Sequence, residues 1–194
     1  MENPAVKDAR GKRIVFLSHC CLNQNAKVRG LASFPGAVTP LIELLLAEGV
    51  GMVQMGCPEV TYLGTLRWGQ VRNQYDTPMF RAHCRRLAEG IVDQVEDYRH
   101  GGYRVVGFIM MDGSPVCGLN KTPVPADDGE ELGGMFWYTP RQKHIDEQGI
   151  FTQVLQATLG KQSDAPAVAV VAGLEGDDLA GAPVCLRFIE RMCR

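Results

Sequence analysis

Three short apolar runs separated by amphipathic stretches constrain this chain more than any other feature. The runs are Arg13-Ile14-Val15-Phe16-Leu17-Ser18, Gly51-Met52-Val53-Gln54-Met55 and Val105-Val106-Gly107-Phe108-Ile109-Met110-Met111. Their length and β-branched content mark them as buried strands. Between the first two, Pro35 to Glu48 carries Val38, Leu41, Ile42, Leu44, Leu45 and Leu46, a helix pattern that Gly49 stops. Before the third, Thr77-Pro78 opens a helix running to His100. Phe80, Cys84, Leu87, Ile91, Val95 and Tyr98 form its stripe, and Gly101-Gly102 ends it. Strands joined through helices must lie parallel, because a parallel pair needs a long crossover.

The rest of the chain extends this pattern. A helix is predicted over 142–160 with Gly149 as its weak point, a fourth strand over 167–172, and a closing helix over 184–193. Residues 1–12 are polar and expected to be flexible, while 19–34 and 57–76 read as loops. The segment 112–141, rich in Gly, Pro and Asp, reads as a long loop and candidate lid. The expected architecture is one α/β domain over residues 1–194. It has a mainly parallel sheet, helices on both faces, a Rossmann-like winding and a ligand site at the strand carboxyl ends.

Each run leads into cysteine: Cys20 and Cys21 after the first, Cys57 after the second, Cys117 after the third. If the strands are parallel, these thiols converge at one sheet edge. Neighbours leave a strand toward opposite faces, so one of Cys20 and Cys21 is expected to face the site and the other the core, whereas in a loop both could take part. Cys84 lies on the helix stripe and reads as core; Cys185 and Cys193 receive no role. The seven cysteines are odd in number, and Met1 to Asp8 has no apolar leader core. No apolar run approaches the ~20 residues of a membrane span. A reducing, cytoplasmic setting is expected, where cysteines serve as metal ligands or reactive thiols. The net charge of −2 supplies no field for a nucleic-acid polymer. Three thiolates would leave one coordination position open, on zinc or on an iron–sulfur cluster alike.

Other polar residues gather at the same predicted edge. Asn23, Asn25, Lys27 and Arg29 follow the first cysteines and are candidate substrate contacts, as is Asp112 at the end of the third strand. Arg67 and Arg72 flank Trp68, a combination suited to binding an anion and stacking a ring. Asn120, Lys121 and Thr122 follow Cys117, and Trp137 and Tyr138 lie in the candidate lid. Neither Gly-x-Gly-x-x-Gly nor a phosphate-loop signature is present.

Ser18-His19-Cys20 with Gly30 beyond it, Cys57-Pro58-Glu59, and Ser114-Pro115-Val116-Cys117-Gly118 resemble, in that order, the thiouracil desulfidase family and its relatives. The family pattern runs Ser-Ala-Cys-Leu-Leu-Gly, then Arg-Tyr-Asp-Gly, Cys-Pro-Glu and Ser-Pro-Ser-Cys-Gly. The match spans residues 13 to about 122. The resemblance implies a 4Fe-4S cluster held by Cys20, Cys57 and Cys117. It also implies non-redox removal of sulfur, released as sulfide, from a small thiolated substrate such as a nucleobase or nucleotide. Ser114 and a carboxylate, placed on Glu59 and raised toward neutrality by burial, would serve proton transfer. Cys21, Asn23, Ala26-Lys27-Val28-Arg29 and Val116 depart from the pattern and mark a divergent branch. Alternative expectations are a zinc-dependent hydrolase on the same cysteines and a non-enzymatic metal or redox sensor.

Overall fold

Residues 7–126, 142–160 and 170–173 are described by the structure, a computed structural model. In chain order the elements begin with β1 (Arg13–Leu17), α1 (His19–Leu22), α2 (Thr39–Ala47), β2 (Gly51–Gln54), α3 (Pro58–Leu63) and α4 (Arg72–Tyr75). They continue with α5 (Pro78–His100), β3 (Arg104–Met110), β4 (Thr122–Pro125), β5 (Gln142–Ile145), α6 (Ile150–Leu159) and β6 (Val170–Gly173). A short 3-10 turn at Gln24–Ala26 follows α1. Strands β1, β2, β3 and β6 form one parallel sheet in the order β2-β1-β3-β6. β4 and β5 form a separate antiparallel pair.

Side-chain alternation divides the core between two sheet faces. Ile14, Phe16, Phe108 and Met110 pack against α5 and α6, with Phe80, Cys84 and Ile91 opposite them. Val15, Leu17, Val106 and Ile109 face the other way, onto Leu41 and Leu45 of α2. A bulge opposite Ile14–Val15, where Val106 is skipped, shifts the alternation of β3; Val106 and Ile109 therefore share a face despite their spacing. Helices thus cover both faces, as parallel sheets require. Among the described residues no helix is long and apolar enough to cross a membrane.

Several expected boundaries move. The segment 57–76 contains α3 and α4, and 19–34 contains α1; helices of four to six residues are too short for periodicity to show. The helix expected over 142–160 is instead β5 followed by α6, with Gly149 as the residue capping α6. β4 lies within the expected 112–141 loop. Residues 7–12 lack regular structure but are tied to the start of β3, with Arg104 N–H donating to the Lys12 carbonyl at 2.8 Å. Trp137, Tyr138, Cys185, Cys193 and the predicted closing helix lie outside the described residues.

The turn carrying Cys117 is bound directly to α6. Ile150 N–H donates to the Pro115 carbonyl at 3.2 Å, and Phe151 and Thr152 N–H groups both donate to Val116, at 2.9 and 3.3 Å. These are donors that a helix start leaves without intrahelical partners. Two glycines permit the approach. A Cβ on Gly149 would lie 2.5 Å from the Val116 carbonyl, and one on Gly118 would collide with the carbonyls of Lys121 and Ser114. Gly118→Ala is therefore expected to lower stability by about 1–3 kcal/mol, the usual cost of overpacking. An unchanged urea midpoint would overturn that expectation.

Candidate functional site

The strand ends are level: Leu17 is opposite both Gln54 of β2 and Ile109 of β3. The chain leaves β1 for β2 on one side and later returns to β3 on the other. The winding therefore reverses beside β1, the position where open α/β sheets hold ligands. A cavity of about 510 Å3 opens there, and Cys20, Cys57 and Cys117 all line it.

Local structure presents each sulfur differently. α1 starts directly after β1, and this turn sends Cys20 to the cavity while Cys21 is fully buried in the core beside Val15 and Leu41. Cys57 caps α3, with its Sγ accepting from Val60 N–H at 3.5 Å and Pro58 at the first helical position. Cys117 sits on the Ser114–Gly118 turn. Ser114 Oγ accepts from the N–H groups of Val116 at 3.2 Å and Cys117 at 3.0 Å.

The thiols share an electrostatic environment. The Cys21 thiol beside it holds Cys20 below the ordinary thiol range. Burial, then the Glu59 charge, pushes Cys57 up to about 11. Burial, then Cys57 and Cys20, pushes Cys117 well above its ordinary value. In such surroundings Cys57 and Cys117 stay neutral unless a cation balances the thiolate charge. Three soft donors reaching one cavity from three strand ends fit a cysteine-ligated iron–sulfur cluster.

Glu59 lies at the wall of this cavity and is 9% exposed. Its Oε2 accepts from Arg67 Nε at 2.8 Å and from Tyr75 OH at 3.2 Å. Arg67 Nη2 also donates to the Ala26 carbonyl at 2.7 Å, tying the α3 loop to the turn after Cys20. Burial opposes the Arg67 charge, but the Glu59 carboxylate more than offsets it and Arg67 is raised. Burial, then Glu59, raises Tyr75 as well. Two donors, one charged and one neutral, thus hold Glu59 in place through a single oxygen.

The remaining candidates separate. Lys27, Lys121 and Asp112 line the cavity, whereas Asn23, Asn25, Arg29, Trp68 and Arg72 are not among its lining residues. Asn23 accepts from the backbone and side chain of Asn25, capping the 3-10 turn. Asp112 holds its own loop: Oδ1 accepts from Leu119 N–H at 2.6 Å and Asn120 N–H at 2.7 Å, and Oδ2 from the Asn120 amide at 2.8 Å. Thr122 is fully buried. The anion-binding reading of Arg67 and Arg72 is not supported, because Arg67 is paired with Glu59 and Arg72 with Asp76 and Glu147. Cys84 is buried in the core, as its place on the stripe predicts.

Sequence reasoning missed Gln70, Gln142 and His144, which also line the cavity. His144 was hidden by the helix expected over its segment; the Gly149 cap was the signal for a shorter one. Nothing in the sequence distinguishes Gln70.

These features define an α/β protein with a three-cysteine cavity at the carboxyl edge of a parallel sheet. Over 112 residues the chain is 38% identical to Uncharacterized protein MJ0003 of Methanocaldococcus jannaschii, a match covering 58% of this chain and 71% of the relative. The chain belongs to the same family as that protein. No family model matches it, and no solved structure matches it significantly.

Proposed function

We propose that the chain is an iron–sulfur desulfidase of the reducing cytoplasm, built on a Rossmann-like sheet. It hydrolyses the carbon–sulfur double bond of a thiolated nucleobase, nucleotide or related small molecule. One observation carries the reading: Cys20, Cys57 and Cys117, from three separate strand ends, line one cavity together with Ser114 and Glu59. Soft thiolate donors suit an iron–sulfur cluster and zinc alike, and metal analysis separates the two. A 4Fe-4S cluster held by the three cysteines would supply an open iron, a Lewis acid that polarises the carbon–sulfur bond.

The reaction consumes water and releases hydrogen sulfide: oxygen replaces sulfur at carbon, both water hydrogens leave with the sulfur, and no electrons are transferred. The chain's own residues handle the protons. Two N–H groups draw density from Ser114 Oγ, which favours donation of its proton toward departing sulfur over nucleophilic attack. Glu59 is held by Oε2, and Oε1 has no donor among the described residues, leaving it to accept a water hydrogen. Lys27 and Lys121 bring positive charge to the wall, and Val28, Leu31 and Met111 offer it apolar surface.

Anaerobic preparation with iron and sulfide analysis tests the reading most directly. Expected are visible iron–sulfur absorbance and sulfide release from 4-thiouracil. A colourless protein without iron after reconstitution, or one with stoichiometric zinc, overturns it. Ser114→Ala should keep the iron and slow turnover by about 10²-fold, the lower range for one proton-transfer group; an unchanged kcat removes Ser114 from the reaction.

A further inference from the structure

We propose that His19 Nε2 is the hydrogen-bond acceptor that holds the attacking water in the cavity, an inference resting on the desulfidase reading. His19 is the first residue of α1, immediately before Cys20, where the desulfidase pattern carries alanine. Its Nδ1 lies 3.2 Å from the Met55 carbonyl oxygen. A carbonyl can only accept, so Nδ1 carries a proton, and in the neutral ring Nε2 is then the nitrogen with the lone pair. The ring is half-buried and lines the cavity, and Nε2 has no donor among the described residues.

Gln70 Oε1 is buried without a partner, while several other acceptors on the wall are partly or wholly engaged. Arg67 and Tyr75 occupy Glu59 Oε2, the loop backbone and Asn120 occupy both Asp112 oxygens, and two N–H groups occupy Ser114 Oγ. Lys27 and Lys121 can only donate. A water has two hydrogens to place, and a neutral imidazole nitrogen receives one of them without adding charge beside the cysteines. Hydrogen bonding through both hydrogens enriches the oxygen that attacks carbon. The Met55 carbonyl fixes the ring, so the acceptor is in place before substrate arrives.

Two substitutions separate this role from simple anchoring. The amide of His19→Asn matches Nδ1 and can keep the Met55 contact, but leaves no acceptor where Nε2 was. His19→Gln places an amide oxygen near the Nε2 position. With 4-thiouracil as probe, His19→Asn is expected to lower kcat by about 10²-fold, the cost of a misplaced reactant. KM and iron absorbance should stay unchanged, and His19→Gln should recover much of kcat. Full activity in His19→Asn, a rise in KM alone, or loss of iron absorbance overturns the proposal. A crystal structure of the anaerobic wild-type protein should also show an ordered water within about 3.2 Å of Nε2, and its absence overturns the proposal too. If that water is present but wild-type protein releases no sulfide, the desulfidase reading falls and the water site stands.

Discussion

Cys57→Ser and Cys117→Ser are each expected to lose the bound iron and all sulfide release, while Cys84→Ser keeps both. A serine hydroxyl is a hard donor that holds its proton far more tightly than a thiol, so it does not replace a thiolate on iron. Among the described residues three cysteines line the cavity and no other thiol faces it: Cys21 is fully buried in the core, and Cys84 belongs to the α5 stripe on the other face of the sheet. The same geometry resolves the doublet: Cys20→Ser should lose iron and Cys21→Ser retain it. Iron per chain and visible absorbance after anaerobic reconstitution provide the measurement. Full iron in Cys57→Ser would falsify the ligand set.

The second large effect is expected at Arg67. Its side chain and that of Glu59 are 5% and 12% exposed, and the pair closes at 2.8 Å. Arg67→Met removes the cation and leaves a nearly buried carboxylate with Tyr75 as its remaining donor. Breaking a buried pair from one side costs about 3–5 kcal/mol, mostly the penalty of the stranded charge. Urea denaturation should show that loss. Arg67→Met combined with Glu59→Gln should recover a large part of it, because the stranded charge is then gone. A single variant within about 1 kcal/mol of wild type would show that the two groups are individually solvated. Activity should fall in both variants, since Arg67 also ties the α3 loop to Ala26 beside the first cysteine turn.

Where the chain repeats a period, the fold was legible in it. β1, β3 and α5 appear within a residue or two of their predicted bounds, because burial on both faces or along one stripe leaves an apolar pattern. The level strand ends follow from the parallel order, and so does the gathering of three cysteines that are distant in sequence. Short helices were not legible: α1, α3 and α4 make barely a turn each and are set by caps and local bonds. The roles of individual polar residues were legible least. Asp112 looked like a ligand-facing carboxylate; it does line the cavity, but its oxygens also anchor its own turn, through backbone N–H groups that every sequence contains. The Glu59–Arg67 pair spans eight positions and a change of direction, so no spacing rule connects its members. His19 adjoined a motif but acquired its orientation from Met55, a residue of the neighbouring strand end.

The order of the sheet also sets a schedule for biosynthesis. A ribosome that has released β1, β2 and α3 has delivered two of the three cavity thiols, on adjacent strands. The third arrives only after the 23 residues of α5 have emerged and β3 has added to the free side of β1. Its turn is then fastened by α6, which emerges later still. A fragment ending before α6 lacks the bonds that fasten the third turn, so the cavity is completed only once α6 has emerged. Until then the first two thiols stay exposed on the nascent chain, for an interval set by translation speed.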